Sequence, residues 1–251
     1  MFWPLLGVLL LLVAAFWLLP LVYYKYWKKP QALAADGGEK SLLLTFDDGP
    51  DGDNTELLLD LLALYRVKAC FFLLAKRAEA EPRLVERMLA EGHSLGYHSS
   101  SHRNMLPLLP KKTAEDFRCG LEVFRRHNWP VTYYRPPYGA FNLFTLRIAK
   151  RNGLKLLLWN VIPRDWLEGQ TSSQLLVKLF KQVNEGAVIL LHDSSAGVKA
   201  DINAPPRMIE ALNLFIPEMQ KRGYCFVTPE HCRREQLFVC RGGCYENFNG
   251  K

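Results

Sequence analysis

Between residues 41 and 227 short apolar runs alternate with amphipathic stretches in a regular rhythm, and no other feature of the chain restricts its fold as much. The strand candidates are Ser41–Thr45, Ala69–Leu74, Ser94–Tyr97, Thr132–Arg135, Leu156–Asn160, Ala187–Leu191 and Tyr224–Val227. Most are unbroken apolar runs, as parallel strands covered on both faces require. Helices are predicted over Asn54–Tyr65, Pro82–Glu91, Thr113–His127, Leu143–Asn152, Ser172–Asn184 and Pro205–Arg222. Their boundaries are marked by Pro82 at a first turn, by the capping-type Thr113-x-x-Asp116, and by Gly153 and Gly223 just past two ends. Seven strands alternating with six helices predict the α/β class and a barrel. An open doubly wound sheet is the alternative, because strand order is not written in a sequence.

From Met1 to Tyr24 no side chain is charged. A membrane span needs about 20 apolar residues, so Trp3–Val22 is read as one N-terminal transmembrane helix. Pro4 and Pro20 sit near its ends, and Tyr23, Tyr24, Tyr26 and Trp27 resemble an interfacial aromatic belt. A cleaved signal peptide is the alternative, but the small-x-small site Ala32-Leu33-Ala34 lies beyond Lys25, Lys28, Lys29 and Pro30. The expected organisation is an anchor over 1–24, a juxtamembrane linker over 25–39, a folded domain over 40–231 and a Cys-containing extension over 232–251. The chain's 251 residues, 49% hydrophobic and 23% charged, suffice for one large domain with a real core.

The formal net charge is +7, and without the three lysines beside the apolar segment it falls to +4. No basic helix, RNP-type strand or zinc-finger spacing accompanies it, so nucleic acid is not an expected partner. Two rules disagree about which side of the membrane the domain occupies. Lys25, Lys28 and Lys29 favour the cytoplasm. Cys225, Cys232, Cys240 and Cys244 form an even-numbered group that can staple the tail in an oxidising compartment. Cys70 and Cys119 are expected in the core. The expectation is an outward-facing domain on the cell membrane, with one or two disulfides in the tail.

In parallel βα folds reactive groups gather on loops at the carboxyl ends of the strands. Asp47 and Asp48 are placed after the first strand, His98 and His102 after the third, Arg135 at the end of the fourth, Asp165 after the fifth and His192 at the end of the sixth. Singly, each has an ordinary explanation: Asp-Asp-Gly-Pro is a common turn, the histidines suit a surface turn, and Arg135 suits a solvated loop. Jointly, five segments deliver ionisable groups to one face, and that arrangement points to a site. The four-residue spacing of His98 and His102 puts both imidazoles on one face if the segment is helical. One carboxylate added to them makes an open site suited to Zn²⁺, with Co²⁺, Ni²⁺, Mn²⁺ or Fe²⁺ chemically admissible. His93, His127 and His231 are read as structural.

Thr45-Phe46-Asp47-Asp48-Gly49-Pro50, His98-Ser99-Ser100-Ser101-His102, Arg135-Pro136-Pro137-Tyr138-Gly139, Asp165-Trp166 and Leu190-Leu191-His192-Asp193 together resemble the polysaccharide deacetylase (NodB-homology) family of carbohydrate esterases, in family order, over about Lys40 to Pro229. The resemblance implies a distorted seven-stranded β/α barrel that removes N-acetyl groups from an amino-sugar glycan by metal-assisted amide hydrolysis. It assigns Asp47 as catalytic base, Asp48 with His98 and His102 as ligands of one divalent metal, Arg135 as the group that orients Asp47, His192 as general acid and Asp165 as its tuner. Tyr138, Trp166 and Leu190 would line the acetyl pocket. Two departures stand out. Arg103 replaces the usual proline after the second metal histidine, and Asn160 stands where many members are acidic. Two other functions are compatible with the fold: an O-acetyl esterase, and a catalytically silent glycan-binding protein. The full set of ionisable residues argues against the latter.

Overall fold

The structure, a computed structural model, describes residues 2–23, 40–195 and 200–231. The linker expected over 25–39, the extension over 232–251 and the disulfides expected there lie outside the described residues. The elements are α1 (Phe2–Val22), β1 (Lys40–Asp47), α2 (Gly52–Leu64), β2 (Cys70–Leu73), α3 (Ala75–Ala80), α4 (Pro82–Ala90), β3 (Ser94–Tyr97), α5 (Pro110–Arg126), β4 (Tyr133–Tyr134), α6 (Leu143–Arg151), β5 (Lys155–Leu156), α7 (Ser172–Gln182), β6 (Ala187–His192), α8 (Ala204–Lys221) and β7 (Tyr224–Phe226).

All seven strands belong to one sheet in the order β5-β4-β3-β2-β1-β6, with β7 pairing the first residues of β1. Every pairing is parallel. The sheet curls into a half-barrel. Past β5 the chain turns toward β6, where Val161 bridges Ile189 and Asn160 accepts from Val188 N at 2.7 Å through its Oδ1. The strand order alone is compatible with a doubly wound sheet, since β6 returns beside β1; the Val161–Ile189 bridge, which brings the segment after β5 onto β6, is what favours the curled half-barrel over that alternative.

Period-2 alternation divides the strand residues between two cores. Leu42, Leu44 and Phe46 of β1 join Phe71, Leu73, Ile189 and Leu191 under the helices. Leu43 instead meets Cys70, Phe72, Tyr133, Leu157 and Val188 in a smaller cluster within the curl. Full burial of each such side chain contributes about 1.5–3 kcal/mol. By the same alternation Thr45 and Asp47 lie on the Leu43 face, and so the strand that carries the core also aims the carboxylate inward.

Several boundaries differ from expectation for physical reasons. β1 continues to Asp47, so this carboxylate is the last residue of the strand. β4 is only two residues long, because Pro136 and Pro137 have no N–H to extend the ladder. α5 opens at Pro110, and Thr113 bonds back to Leu109 O rather than capping a helix. The short α3 has no periodicity long enough to read. Its first N–H groups, from Ala75 and Lys76, donate to the carbonyls of Ser99 and Ser100 at 3.0 and 3.2 Å, which ties it to the loop after β3. Cys70 is buried as expected, whereas Cys119 is exposed on α5.

The apolar run at the N-terminus forms α1, whose Phe16 ring lies 4.5 Å from that of Phe144 on α6. Among the fully described residues no helix is long and apolar enough to cross a membrane.

Candidate active site

Asp48, His98 and His102 converge at the carboxyl end of the sheet, with their ligand atoms within 4.8 Å of one another. Asp48 Oδ1 lies 3.4 Å from His98 Nε2 and 3.2 Å from His102 Nε2. His98 Nδ1 donates to Arg135 O at 2.8 Å, which leaves its Nε2 as the lone-pair nitrogen. Burial, opposed by the Asp47 charge, holds His98 down at about 4, and burial lowers His102 as well. Burial raises Asp48 to about 7; His192 and Arg77 oppose the rise, and the charges of Asp47 and Asp193 add to it. Asp48 Oδ1 is buried without a hydrogen-bond partner. Two imidazoles held neutral and an unpartnered carboxylate oxygen are the donor set of a divalent cation.

The two histidines do not share a helical face. His98 directly follows β3, and the segment to His102 is a loop in which Ser99 and His102 have φ of 114° and 56°. Asp116 of α5 holds that loop: it accepts from Tyr97 Oη at 2.6 Å and from Ser100 N at 3.2 Å.

Arg135 is fully buried beside this set. Its Nη1 donates to Asp47 Oδ1 and to Thr45 Oγ1, each at 2.7 Å, and its Nε and Nη2 donate to the carbonyls of Leu157 and Leu158. The guanidinium also lies 4.0 Å from the Phe72 ring centroid. Asp47 is thus fixed at one oxygen, while Oδ2 lies 3.8 Å from His98 Nε2. Across the β1–β6 ladder Asp47 is the register partner of His192. Asp165 accepts from the His192 ring at 3.0 Å and from its backbone N at 2.7 Å. Burial would lower His192, but the Asp165 charge and hydrogen bond outweigh it and, with Asp48 and Asp47, push it up to about 9. Tyr138 stands against His102 with ring centroids 4.7 Å apart, and Trp166 meets His192 edge-on at 5.1 Å. Leu190 is buried in β6, two residues before His192 on the same face.

Non-glycine residues at positive φ are rare and costly. Among the described residues seven have it, and five of these, Asp48, Ser99, His102, Tyr138 and Arg164, belong to the loops of this site. That concentration is the mark of a functional centre.

The polysaccharide deacetylase family profile matches residues 34–157. The chain is 33% identical over 207 residues to a peptidoglycan-N-acetylglucosamine deacetylase of Bacillus cereus, covering 82% of this chain and 91% of that protein. It is 30% identical to a chitooligosaccharide deacetylase of Bradyrhizobium, covering 74% of this chain and 88% of the relative. The chain belongs to the polysaccharide deacetylase family. Among solved structures, a peptidoglycan N-acetylglucosamine deacetylase bound to 4-naphthalen-1-yl-N-oxidanyl-benzamide superposes with a TM-score of 0.72 at 28% identity, covering 84% of this chain and 95% of that one. The peptidoglycan deacetylase PdaC of Bacillus subtilis gives 0.67 at 29% identity, covering 78% and 90%. Membership makes the chain a metal-dependent hydrolase of N-acetyl amide bonds, with Asp48, His98 and His102 as its possible metal site.

Within this family frame all ten sequence-predicted residues fall at one end of the sheet. Four supporting residues were not read from sequence. Asp116 was taken for a capping residue. Asp193, Thr55 and Arg77 form a second layer: Thr55 Oγ1 donates to Asp193 Oδ2 at 2.6 Å, and Arg77 Nη1 donates to Pro50 O, Asp51 Oδ1 and Ser194 Oγ. Gly49 is required here, since a Cβ would stand 2.1 Å from Asp193 Oδ2. The Asp after His192 in its motif was the available signal for this layer. Asn160 holds the seam to β6, and Arg103 is exposed at the rim. His93 accepts from Ala69 N and His127 stacks on Trp129, both structural.

Proposed function

We propose that this chain is an N-deacetylase of amino-sugar units in a peptidoglycan-, chitooligosaccharide- or surface-polysaccharide-type glycan, with Zn²⁺ held by Asp48, His98 and His102. The observation that carries this reading is the pairing of Asp47 and His192 across one strand ladder beside that donor set. A carboxylate clamped by Arg135 and an imidazolium clamped by Asp165 form a base and an acid at paired positions of adjacent strands. The bound cation supplies Lewis-acid polarisation of the acetyl carbonyl.

Asp47 takes the proton of the attacking water at Oδ2, because Oδ1 is tied to Arg135. His192 delivers a proton from Nε2 to the departing amine, with Nδ1–H held by Asp165. Tyr138, Trp166 and Leu190 would line the acetyl pocket, and backbone amides near Tyr138, whose φ is 60°, would stabilise the developing oxyanion. The chain is anchored in the cell membrane by its uncharged N-terminal stretch, with the catalytic domain outside. The length of that run and its lack of charge support the anchor.

The test is to incubate the full chain with N-acetylated chitooligosaccharides and peptidoglycan fragments, then follow acetate and free amine by mass spectrometry. Amine formation is expected. Acetate released only from O-acetylated glycans would replace this reading with an esterase.

A further inference from the structure

The mouth of the site has two apolar lips. On one side Asn142 Nδ2 donates to the carbonyls of Met105, Leu106 and Leu108 at 3.1, 3.0 and 3.0 Å, which ties the β3–α5 loop to the start of α6. That link brings Leu109, 64% exposed, and Leu143, 46% exposed, to neighbouring positions. On the other side Asp201 N donates to Trp166 O at 3.2 Å and Arg207 Nη2 to Leu167 O at 3.0 Å. That link sets Ile202, 76% exposed, beside Leu167, 38% exposed. At the opposite end of the sheet the turns 66–68, 92–93, 127–132, 152–154, 184–186 and 222–223 expose no large apolar side chain, and Leu64, 69% exposed at the end of α2, stands singly beside them. Exposed Arg103, Lys111, Lys112 and Arg147 lie in the segments that carry the first lip.

A clustered apolar rim at one end of a domain marks an interaction surface. Its composition indicates the occupant. The aromatic rings suited to a sugar face, Tyr138 and Trp166, stand against His102 and His192, whereas the lips are aliphatic, the first with exposed cations in its segments and the second flanked by Glu168 and by Asp201 paired with Arg207; an aliphatic rim of this kind suits a bilayer interface. The first lip is also continuous with the uncharged N-terminal helix: Phe16 packs on Phe144, next to Leu143. From Phe16 to the end of α1 at Val22 is six residues, a rise of about 9 Å. Interfacial side chains reach about 5–10 Å into a bilayer, so a lip at this height touches the membrane in which α1 would sit.

We propose that the catalytic mouth faces the bilayer, with Leu109, Leu143, Leu167 and Ile202 dipping into an anionic leaflet. The substrate is then an N-acetylated saccharide whose far end is held in the same membrane by a lipid. This rests on the deacetylase and anchor readings above. The full chain is placed in phosphatidylglycerol–phosphatidylcholine vesicles and given one N-acetylglucosamine oligosaccharide in two forms, lipid-tailed in the same bilayer and free in water. Leu109→Glu combined with Ile202→Glu is expected to lower kcat/KM about ten-fold on the lipid-tailed form only. Equal losses on both forms would make the lips a glycan subsite and overturn the proposal, as would no loss on either. Wild-type protein inactive on both forms would sink the deacetylase reading instead, and the lips are then read by labelling. In vesicles, Leu109→Cys and Ile202→Cys are expected to react with a membrane-impermeant maleimide about ten-fold more slowly than the exposed Cys119, resolved by peptide mass. Rates equal to that of Cys119 would overturn the membrane-facing mouth.

Discussion

The site contains two Asp–His assemblies of like composition and opposite electrostatics. In Asp48–His98–His102 the imidazoles are driven neutral by burial and the carboxylate is pushed up to about 7, with Oδ1 lacking any hydrogen-bond donor. In Asp165–His192 both carboxylate oxygens are engaged, one by the ring and one by the backbone, and the imidazole is held protonated to about 9. The difference lies in where the histidine nitrogens point. His98 spends its N–H on a backbone carbonyl and turns a lone pair toward Asp48, whereas His192 spends its N–H on the carboxylate itself. The first assembly balances its charge only with a cation, and the second carries its own proton.

Removing a ligand from the first assembly therefore has the largest effect. His98→Ala or His102→Ala is expected to cut metal content by elemental analysis and to lower kcat/KM by on the order of 10³-fold, the equivalent of about 4 kcal/mol of lost Lewis-acid stabilisation. Full metal occupancy in the double variant would break the comparison. Asp47→Asn comes next. It keeps the donor set and removes the base, so bound metal is unchanged and kcat drops by about 10²–10⁴-fold; near-normal turnover would move the base elsewhere.

Asp165→Asn probes the second assembly. His192 loses its anionic partner while its burial remains, so its pKa falls from about 9, with the charges of Asp48 and Asp47 opposing part of the fall. The basic limb of the rate profile moves acidward accordingly. The stability sign is fixed by the raised folded value: this group's contribution is complete below about pH 6.5 and is lost as pH rises through about 9. The variant should lose that decline, as seen in urea midpoints measured across the window. Loading the metal beside His192 adds positive charge, so its ring titration followed by NMR should lie lower in the metal-bound enzyme than after chelation.

How legible these assemblies were in the sequence differs between them. Asp47, Asp48 and His192 were legible because strand periodicity and the carboxyl-end rule place them, and five ordered motifs reinforce one another. The geometry of the histidine pair was not: its spacing suggested a helical face, and the chain makes a strained loop. That loop exists because Asp116, 14 residues past His102 in sequence, reaches back to Ser100 N from a helix whose start the sequence misplaced. Likewise the seven-strand rhythm was readable, but the two-residue β4 and β5 and the single bridge to β6 depend on curl, a property of the whole sheet. Pairwise contacts between distant segments leave no local period to read.

The smallest expected effect concerns the layer that joins the two assemblies. Asp193 follows the acid His192, and its carboxylate rests against Gly49, next to the ligand Asp48. Its pKa is pushed up to about 7 by burial, against the Thr55 hydrogen bond that lowers it. Thr55 also accepts from Asp51 N at 2.8 Å, so one hydroxyl links α2, the residue that follows the Asp47–Pro50 turn and the β6 loop. Thr55→Val keeps the shape and strips the hydroxyl, leaving a buried carboxylate oxygen and a backbone N–H unpaired. The expected destabilisation is about 1–3 kcal/mol in urea unfolding. Thr55→Ser restores the hydroxyl and should recover most of it. If the layer only stabilises the fold, kcat and the pH profile of folded Thr55→Val match wild type. If it also sets the distance between the two assemblies, kcat falls with KM unchanged while bound metal stays full, and Thr55→Ser rescues both stability and kcat.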